Sequence, residues 1–544
     1  MKPALLVLVV SACASAPRVP TARFVNGPPV LVVNDRRDVP VPPKERESSQ
    51  DLYDFDGSFF RLLTRALEVP APQRAIGINS LDEVPDSTWF TNRIGVRDLT
   101  PDEVRRGPST IGSPELHKPW TIHGTKVGGD AIGFIITDAR GEKYIVKLEK
   151  PEHPELETAA DAIVSRLFWA FGFNVPEDHV VFVRPDELVL AKDATIRDVF
   201  GNKRPLTRSE LDRRLAEARL DAHGNLRALA SRYLAGKPLG GHPQRGVRDD
   251  DPNDRIAHER RRDLRGARAL HAWLDQTDVK EANTLDMWVA DRDDPKRHYV
   301  KHYFVDFGKS LGAMASSHES KREGVEYTLD WSSMLGNFFS LGIGGHAWDD
   351  RTAPRLVGLG LYDTATFDPG AWKPSTQAYL PFRTADRLDN FWAAKILIRF
   401  TRPQLAAAVE AGRYSDPRTA SYVLDALVAR QRATARYWFE RVNPVDRFAF
   451  EGDRLCFTDL ALEYALASRV TTRYSLAIFD RDGSLLPALT EIAPATERTC
   501  VALTVTDYAI LSIETRRPAR IGATYVHIAP DAMGTPRVIG VWRE

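Results

Sequence analysis

Five polar side chains stand out by type and spacing. Asp278, Lys280 and Asn283 form D-x-K-x-x-N in the run HAWLDQTDVKEANTLD, Asp306 opens an Asp306-Phe307-Gly308 triplet after the apolar run YVKHYFV, and upstream Lys147 is the last basic residue of the alternating, strand-like KYIVKL, which otherwise wants apolar neighbours. Two carboxylates and a carboxamide are hard oxygen donors of the kind Mg2+ takes in tight octahedral geometry, with a triphosphate supplying most of the remaining ligands. A short loop carrying Asp278 and Asn283, laid beside a strand ending at Asp306, could bring those oxygens together. A strand lysine is more often solvent-facing edge protection, so a functional Lys147 depends on the downstream residues.

Taken in this order, the motifs resemble the protein-kinase superfamily. That resemblance implies that Asp278 orients or accepts the proton of an attacking hydroxyl, Asn283 and Asp306 hold metal, and Lys147 contacts nucleotide phosphates and pairs with a Glu on the following helix. Lys280 would then add charge at the transferring phosphoryl group. The implied cofactors are ATP and Mg2+. The chain departs from the family pattern at Gln276-Thr277, which replaces His-Arg, in the long segment between Asn283 and Asp306, and in the lack of an A-P-E downstream. Those departures resemble atypical, lipid-kinase-like and bacterial branches.

The flanking segments must position these groups. Trp120–Lys150 reads as two or three strands turning through Gly128-Gly129, a loose phosphate-covering loop or plain hairpin turns. Pro154–Phe171 is a helix with Ala160, Ile163, Val164, Leu167, Phe168 and Phe171 on one face. On it Glu157 is the expected partner of Lys147, with Asp161 as alternative; Glu155 and Glu157 are also where acids complement a helix dipole. Arg232–Lys237 is placed at an inter-lobe hinge. Ala257–Leu274 is a helix whose Arg261, Arg262, Arg265 and Arg268 form a solvated face or receive an acidic substrate, the solvated face being the commoner case. Helical stripes at 387–400, 403–412 and 417–442 supply a helical lobe. After Asn443-Pro444, short alternating runs such as YSLAIF and YAILSIE, broken by turns, have the pattern of a β-sandwich.

The expected fold is therefore α+β: a bilobal kinase-like domain with a small β-rich N-lobe and a helical C-lobe, followed by an all-β sandwich. The boundaries read as signal peptide 1–13, disordered tether 14–50, N-terminal extension 51–114, kinase-like domain 115–445 (N-lobe 115–235, C-lobe 236–445) and sandwich 446–544.

Lys plus Arg equals Asp plus Glu at 74 each, which leaves no net field to attract nucleic acid. The N-terminal MKPALLVLVVSAC is too short to span a membrane, which takes about 20 apolar residues. Val10-Ser11-Ala12-Cys13 resembles a lipobox with Cys13 acylated; the alternative is an ordinary signal peptide cut near Ala14 or Ala16. The lipobox implies a bacterial cell-envelope location, and Ala14 after the cysteine points to the outer membrane, with the lipid as the membrane partner. Cys456 and Cys500 lie in strand-like runs of the last module, where an oxidising compartment would join them as a disulfide; two buried free thiols are the alternative. The leading functional reading is a phosphotransferase with nucleotide as partner and an unidentified protein or small-molecule acceptor. The competing one is a pseudokinase or surface scaffold binding partners through its sandwich. A hydrolase is disfavoured, since the chain has no G-x-S-x-G, no metal-protease helix and no catalytic cysteine signature.

Overall fold

The computed structural model describes residues 20–46, 73–126, 132–197, 202–315, 320–341, 348–377 and 379–544, with 55, 59, 60, 343, 345 and 346 singly. Cys13, Gly128 and Gly129 lie outside the described residues. The chain divides into two compact units, one made of Val30–Asn79 with Glu83–Val442, the other of Asn443–Glu544 with Ser80–Asp82 and the described residues up to Pro29. Among the described residues no helix is long and apolar enough to cross a membrane.

The larger unit begins with a seven-stranded sheet of order β4-β7-β3-β2-β1-β5-β6. Its strands are β1 (Trp120–Thr125), β2 (Gly133–Thr137), β3 (Lys143–Leu148), β4 (Asp178–Val183), β5 (Leu188–Arg197), β6 (Lys203–Pro205) and β7 (Leu226–Arg232). Period-2 alternation sends Tyr144, Val146 and Leu148 of β3 into a core with Trp120, Ile122, Phe134 and Val181, capped by Leu211 and Leu215 of the helix Arg208–Ala216. Lys147 therefore points to the opposite face. There its cross-strand partner Leu229, and Val180 beyond it, pack on Ala162 of helix α1 (Leu156–Phe171). All of α1 except Glu157 and Trp169 is buried, so it is a core helix and not the one-sided stripe that its spacing predicts. The segments 178–183 and 188–197 are strands but do not pair with each other: β4 pairs with β7 and β5 with β1.

After β7 the chain crosses by Tyr233–Gly236 to β8 (Lys237–Pro238), which pairs with β9 (Thr284–Ala290). Gly236 is obligatory here: its φ is +96°, and a Cβ would stand 2.2 Å from the Trp288 carbonyl oxygen. β9 and β10 (His298–Phe304) form an antiparallel hairpin whose tip is the charged segment 291–297. Helix α2 (Arg262–Leu274) leads into the loop before β9, and α3 (Arg387–Leu397), α4 (Arg402–Glu410) and α5 (Pro417–Phe439) complete a helical lobe. The arginines of α2 are not a solvated face. Arg262 and Arg265 are buried and fork onto Asp389 of α3 at 3.0 and 2.6 Å, Arg261 pairs with Asp263 at 2.7 Å, and Arg268 donates to the carbonyls of Gly370 and Trp372. A helix enclosed on all sides can keep guanidinium groups only where each finds an acceptor.

Residues 30–46 also differ from the tether expected at 14–50. They lie extended against the body, with Val33 N donating to Asp86 O (2.8 Å), Val39 N to His298 O (2.7 Å) and Arg46 N to Leu239 O (3.0 Å), while Thr88 donates twice to buried Asp35. Proline-rich composition removes donors from the segment but leaves enough backbone groups to be satisfied on a neighbouring surface.

The smaller unit is a sandwich of two antiparallel sheets, β11-β12-β15 and β14-β13-β16-β17-β18, with β11 (Val445–Glu451), β12 (Arg454–Asp459), β13 (Arg473–Phe479), β14 (Leu485–Ile492), β15 (Arg498–Ala502), β16 (Ala509–Arg516), β17 (Arg520–Pro530) and β18 (Pro536–Arg543). Leu455 and Phe457 from the first sheet and Tyr474, Leu476, Leu511, Ile513, Val526 and Ile528 from the second fill one core. Cys456 and Cys500 are directly opposed on β12 and β15 and are joined by a disulfide. The α+β class with a β-rich lobe and a helical lobe is the one that the resemblance implies, and the C-terminal β-sandwich is the one that the alternation after Asn443-Pro444 predicts.

Candidate active site

Three elements converge on the open face of β3. The β9–β10 hairpin does most of the positioning: its register pairs Thr284 with Phe304, so Asn283 and Val305 face each other just beyond it, with Val305 N donating to Asn283 O at 3.0 Å. Asp306 follows at once. The hairpin thus closes a gap of more than twenty residues and sets the end of the Asp278–Asn283 loop beside the Asp306 triplet. α2 ends at Asp275, whose left-handed φ of +50° turns the chain into that loop, and Trp372 Nε1 donates to its carboxylate at 3.0 Å. Gln276 Nε2 then donates to Asp306 O at 3.0 Å. The third element, α1, lies against the triplet: Asp161 Oδ2 accepts from Phe307 N at 3.2 Å, and the Phe307 ring packs on Phe168.

The polar groups form two adjoining clusters. In the first, Asp278 Oδ1 forms an ion pair with Lys280 Nζ at 3.0 Å and Oδ2 accepts from Asn283 Nδ2 at 3.0 Å, and Asn283 Nδ2 also reaches the Asp278 carbonyl at 2.7 Å. Because the Asn283 amide nitrogen is used in this way, its Oδ1 is the atom left to meet a cation. In the second, Lys147 Nζ stands 3.0 Å from Asp306 Oδ1; the lysine is largely buried, and the aspartate side chain is 48% exposed. Asp306 has a φ of +63°, the left-handed region that Asp tolerates better than most residues. Desolvation works to raise its pKa, but Lys147, with smaller contributions from Lys126 and Lys280, outweighs it and holds the carboxyl below the ordinary range. Lys280 therefore bonds one carboxylate and acts through space on the other. Burial works to lower the Lys147 pKa, and Asp306 and Asp161 more than reverse it.

Glu157 is not the partner of Lys147. Its carboxylate takes Lys309 at 2.6 Å and Lys150 at 3.2 Å, at the mouth of the helix. One turn further into the fold, the buried carboxyl facing Lys147 is Asp161, the alternative named from the sequence, and its pKa is raised well above the ordinary value by burial and by neighbouring Asp178. The reason is geometric: positions 157 and 161 share a helix face, and only the deeper one lies beneath the sheet. Sequence reasoning missed Asp178, Gln276 and Asp275. Asp178 begins a strand after a turn, with nothing local to separate it from a capping residue, and Gln276 stood out only as a departure from the family pattern.

The donors fit a hard divalent cation, being oxygens of Asp306, Asn283 and Asp278 with no thiol or imidazole among them. Asp306, ionised and half-exposed, would be the principal ligand.

No known protein-family profile and no curated protein matches the chain in sequence. Solved structures similar to the chain include the Golgi casein kinase with Mn/ADP bound (12% identity, TM-score 0.28, covering 72% of this chain and 89% of that one) and a further crystal structure of the Golgi casein kinase (12%, 0.28, 70% and 82%). A TM-score of 0.28 is too low to carry chemistry from one chain to the other.

Proposed function

We propose that the chain binds a nucleoside triphosphate with Mg2+ or a similar cation on the open face of β3 and transfers its terminal phosphoryl group to a hydroxyl acceptor. The observation that carries this reading is the β9–β10 hairpin, which sets Asn283 and Asp306 at one end of the same two strands, with Asp306 against Lys147. A cation held by Asp306 and Asn283 would neutralise charge on the phosphates. Lys147, beside Asp306, would bind phosphate oxygens. Asp278 holds the acceptor hydroxyl through its proton, and Lys280, already bonded to Asp278, brings positive charge to the transferring group. We further read Cys13 as the acylated N-terminus of an envelope lipoprotein, which mass spectrometry of the native N-terminal peptide tests; an unmodified N-terminus elsewhere refutes it.

The deciding measurement is calorimetric titration of the full chain with ATP, with and without Mg2+. Binding that depends on Mg2+ and is lost in Asp306→Ala supports the site, whereas no binding under either condition overturns it. Asp278→Asn leaves binding nearly intact and lowers turnover, because orientation is lost while the cradle survives. Metal-dependent binding without transfer to any acceptor assigns the chain to the pseudokinase or scaffold class.

A further inference from the structure

Behind the β9–β10 hairpin, away from the cleft, lies a second cluster that the nucleotide reading does not use. Asp286 of β9 and His302 of β10 are direct cross-strand partners, and His302 Nδ1 is 2.7 Å from Asp286 Oδ1. From the segment after β8, His242 brings its Nδ1 to 3.6 Å from the same oxygen. All three side chains are buried, and their ligand atoms lie within 4.8 Å of one another. His242 Nδ1 is enclosed and has no hydrogen-bond partner. Either a proton or a cation has to stand between an imidazole nitrogen and a carboxylate oxygen that face each other in this way. At 3.6 Å the gap is too long for a hydrogen bond. It matches the roughly 3.3–3.5 Å between two ligands of a tetrahedral ion with bonds of about 2.0–2.1 Å.

The surroundings are those of a cation site. Arg248 Nη1 holds the other Asp286 oxygen at 3.1 Å, and His242 Nε2 is 3.3 Å from Tyr379 Oη, contacts that orient a carboxylate and an imidazole from their far sides. His258 is already committed to Asp254 at 2.7 Å. The Trp89 ring stacks on His302 with centroids 3.5 Å apart and turns its edge to His242 and His258, walling the cluster from solvent.

We propose that His242 Nδ1, His302 Nδ1 and Asp286 Oδ1 bind a structural transition-metal dication, Zn2+ being the best match to two imidazoles and a carboxylate. Binding displaces the proton shared by His302 and Asp286 to solvent and leaves a fourth position for water. The ion pins both strands of the hairpin that carries Asn283 and Asp306 to the segment following the hinge. The site stands independently of the nucleotide reading.

Purified full chain is stripped with EDTA and titrated with Co2+. The expected result is one equivalent bound with the intense visible bands of a four-coordinate ion, displaced by Zn2+, unchanged in Asp306→Asn and lost in His242→Ala, whose Zn2+ affinity falls more than about tenfold. Zn2+ raises the melting temperature of the wild-type chain and not that of His242→Ala. A wild-type chain that shows no such bands and no thermal shift overturns the proposal and leaves a hydrogen-bonded network in its place; so do bands that persist in His242→Ala. Should His242→Ala not fold, X-ray absorption on the Zn2+-loaded wild-type chain decides, since two imidazoles are expected in its coordination shell and one or none refutes the site.

Discussion

Beneath Lys147 two acids, Asp161 of α1 and Asp178 of β4, are buried together, and burial raises the pKa of both. The lysine is shared among Asp306, Asp161 and Asp178, and buried Arg166 acts on the latter two as well. An acid whose folded pKa lies above its unfolded value binds more protons in the native state. Stability then falls as pH rises from the unfolded value, about 4, toward the folded one. Asn mimics the protonated acid and can still accept from Phe307 N. Asp161→Asn is therefore expected to melt above the wild-type chain at pH 7 by a margin that shrinks toward pH 4; a constant or reversed margin in melts across that range contradicts the assignment. Asp306 behaves in the opposite sense. Its pKa is lowered, so its pair with Lys147 stabilises the fold above the unfolded value and is lost as pH falls through the folded one. Lys147, raised, contributes fully below its unfolded value and loses its share only as pH climbs through the folded one. Asp306→Asn should thus narrow the stability difference from wild type at acid pH and widen it near neutrality.

At the level of elements, α2 and α3 are held by one carboxylate with two duties. Asp389 Oδ2 closes the capping box of α3 by accepting from Asp386 N at 2.9 Å, and the same side chain takes Arg262 and Arg265. Removing it takes the shared carboxylate from two buried guanidinium groups, leaving Arg265 the Gln73 carbonyl at 2.9 Å and Asp386 at 3.6 Å. Asp389→Ala is expected to cost about 3–5 kcal/mol in urea unfolding, while Asp386→Ala, which removes a cap, costs about 1 kcal/mol. Several elements were legible in the sequence. The strand carrying Lys147 was readable in KYIVKL, and the stripes at 387–400, 403–412 and 417–442 became α3, α4 and α5 within a few residues. The fate of charged groups on buried helices was not legible. Period 3.6 puts Glu157 and Asp161 on one face, and only the depth of the sheet above them separates the carboxylate that meets Lys309 and Lys150 from the one beneath Lys147. Arg262 and Arg265 read as solvated because their acceptor, Asp389, is more than a hundred residues away.

Across the whole molecule, long-range order is what local pattern withholds. Turn clusters and alternation after Asn443 were enough for two packed sheets, yet nothing local could say that β15 joins β12 while β16 lies between β13 and β17. That crossing of strands between sheets makes the Cys456–Cys500 bond matter. Leu455 and Phe457 point into the sandwich core, so period 2 places Cys456 on the outer face of the three-stranded sheet, where the bond ties β12 to a strand 44 residues away in sequence. It therefore closes the loop that contains β13 and β14 and restricts the unfolded chain more than any hydrogen bond of the ladder does. In the chain-entropy description a loop of that size is worth about 4 kcal/mol. The two units have separate cores, and two calorimetric transitions are expected. Cys456→Ala with Cys500→Ala, or reduction of the wild-type chain, should lower the transition of the sandwich by about 2–5 kcal/mol and leave that of the unit containing Lys147 and Asp306 in place. A single transition that moves as a whole would show that the units unfold together, and two unmoved transitions would show that the bond contributes nothing to the folded sandwich.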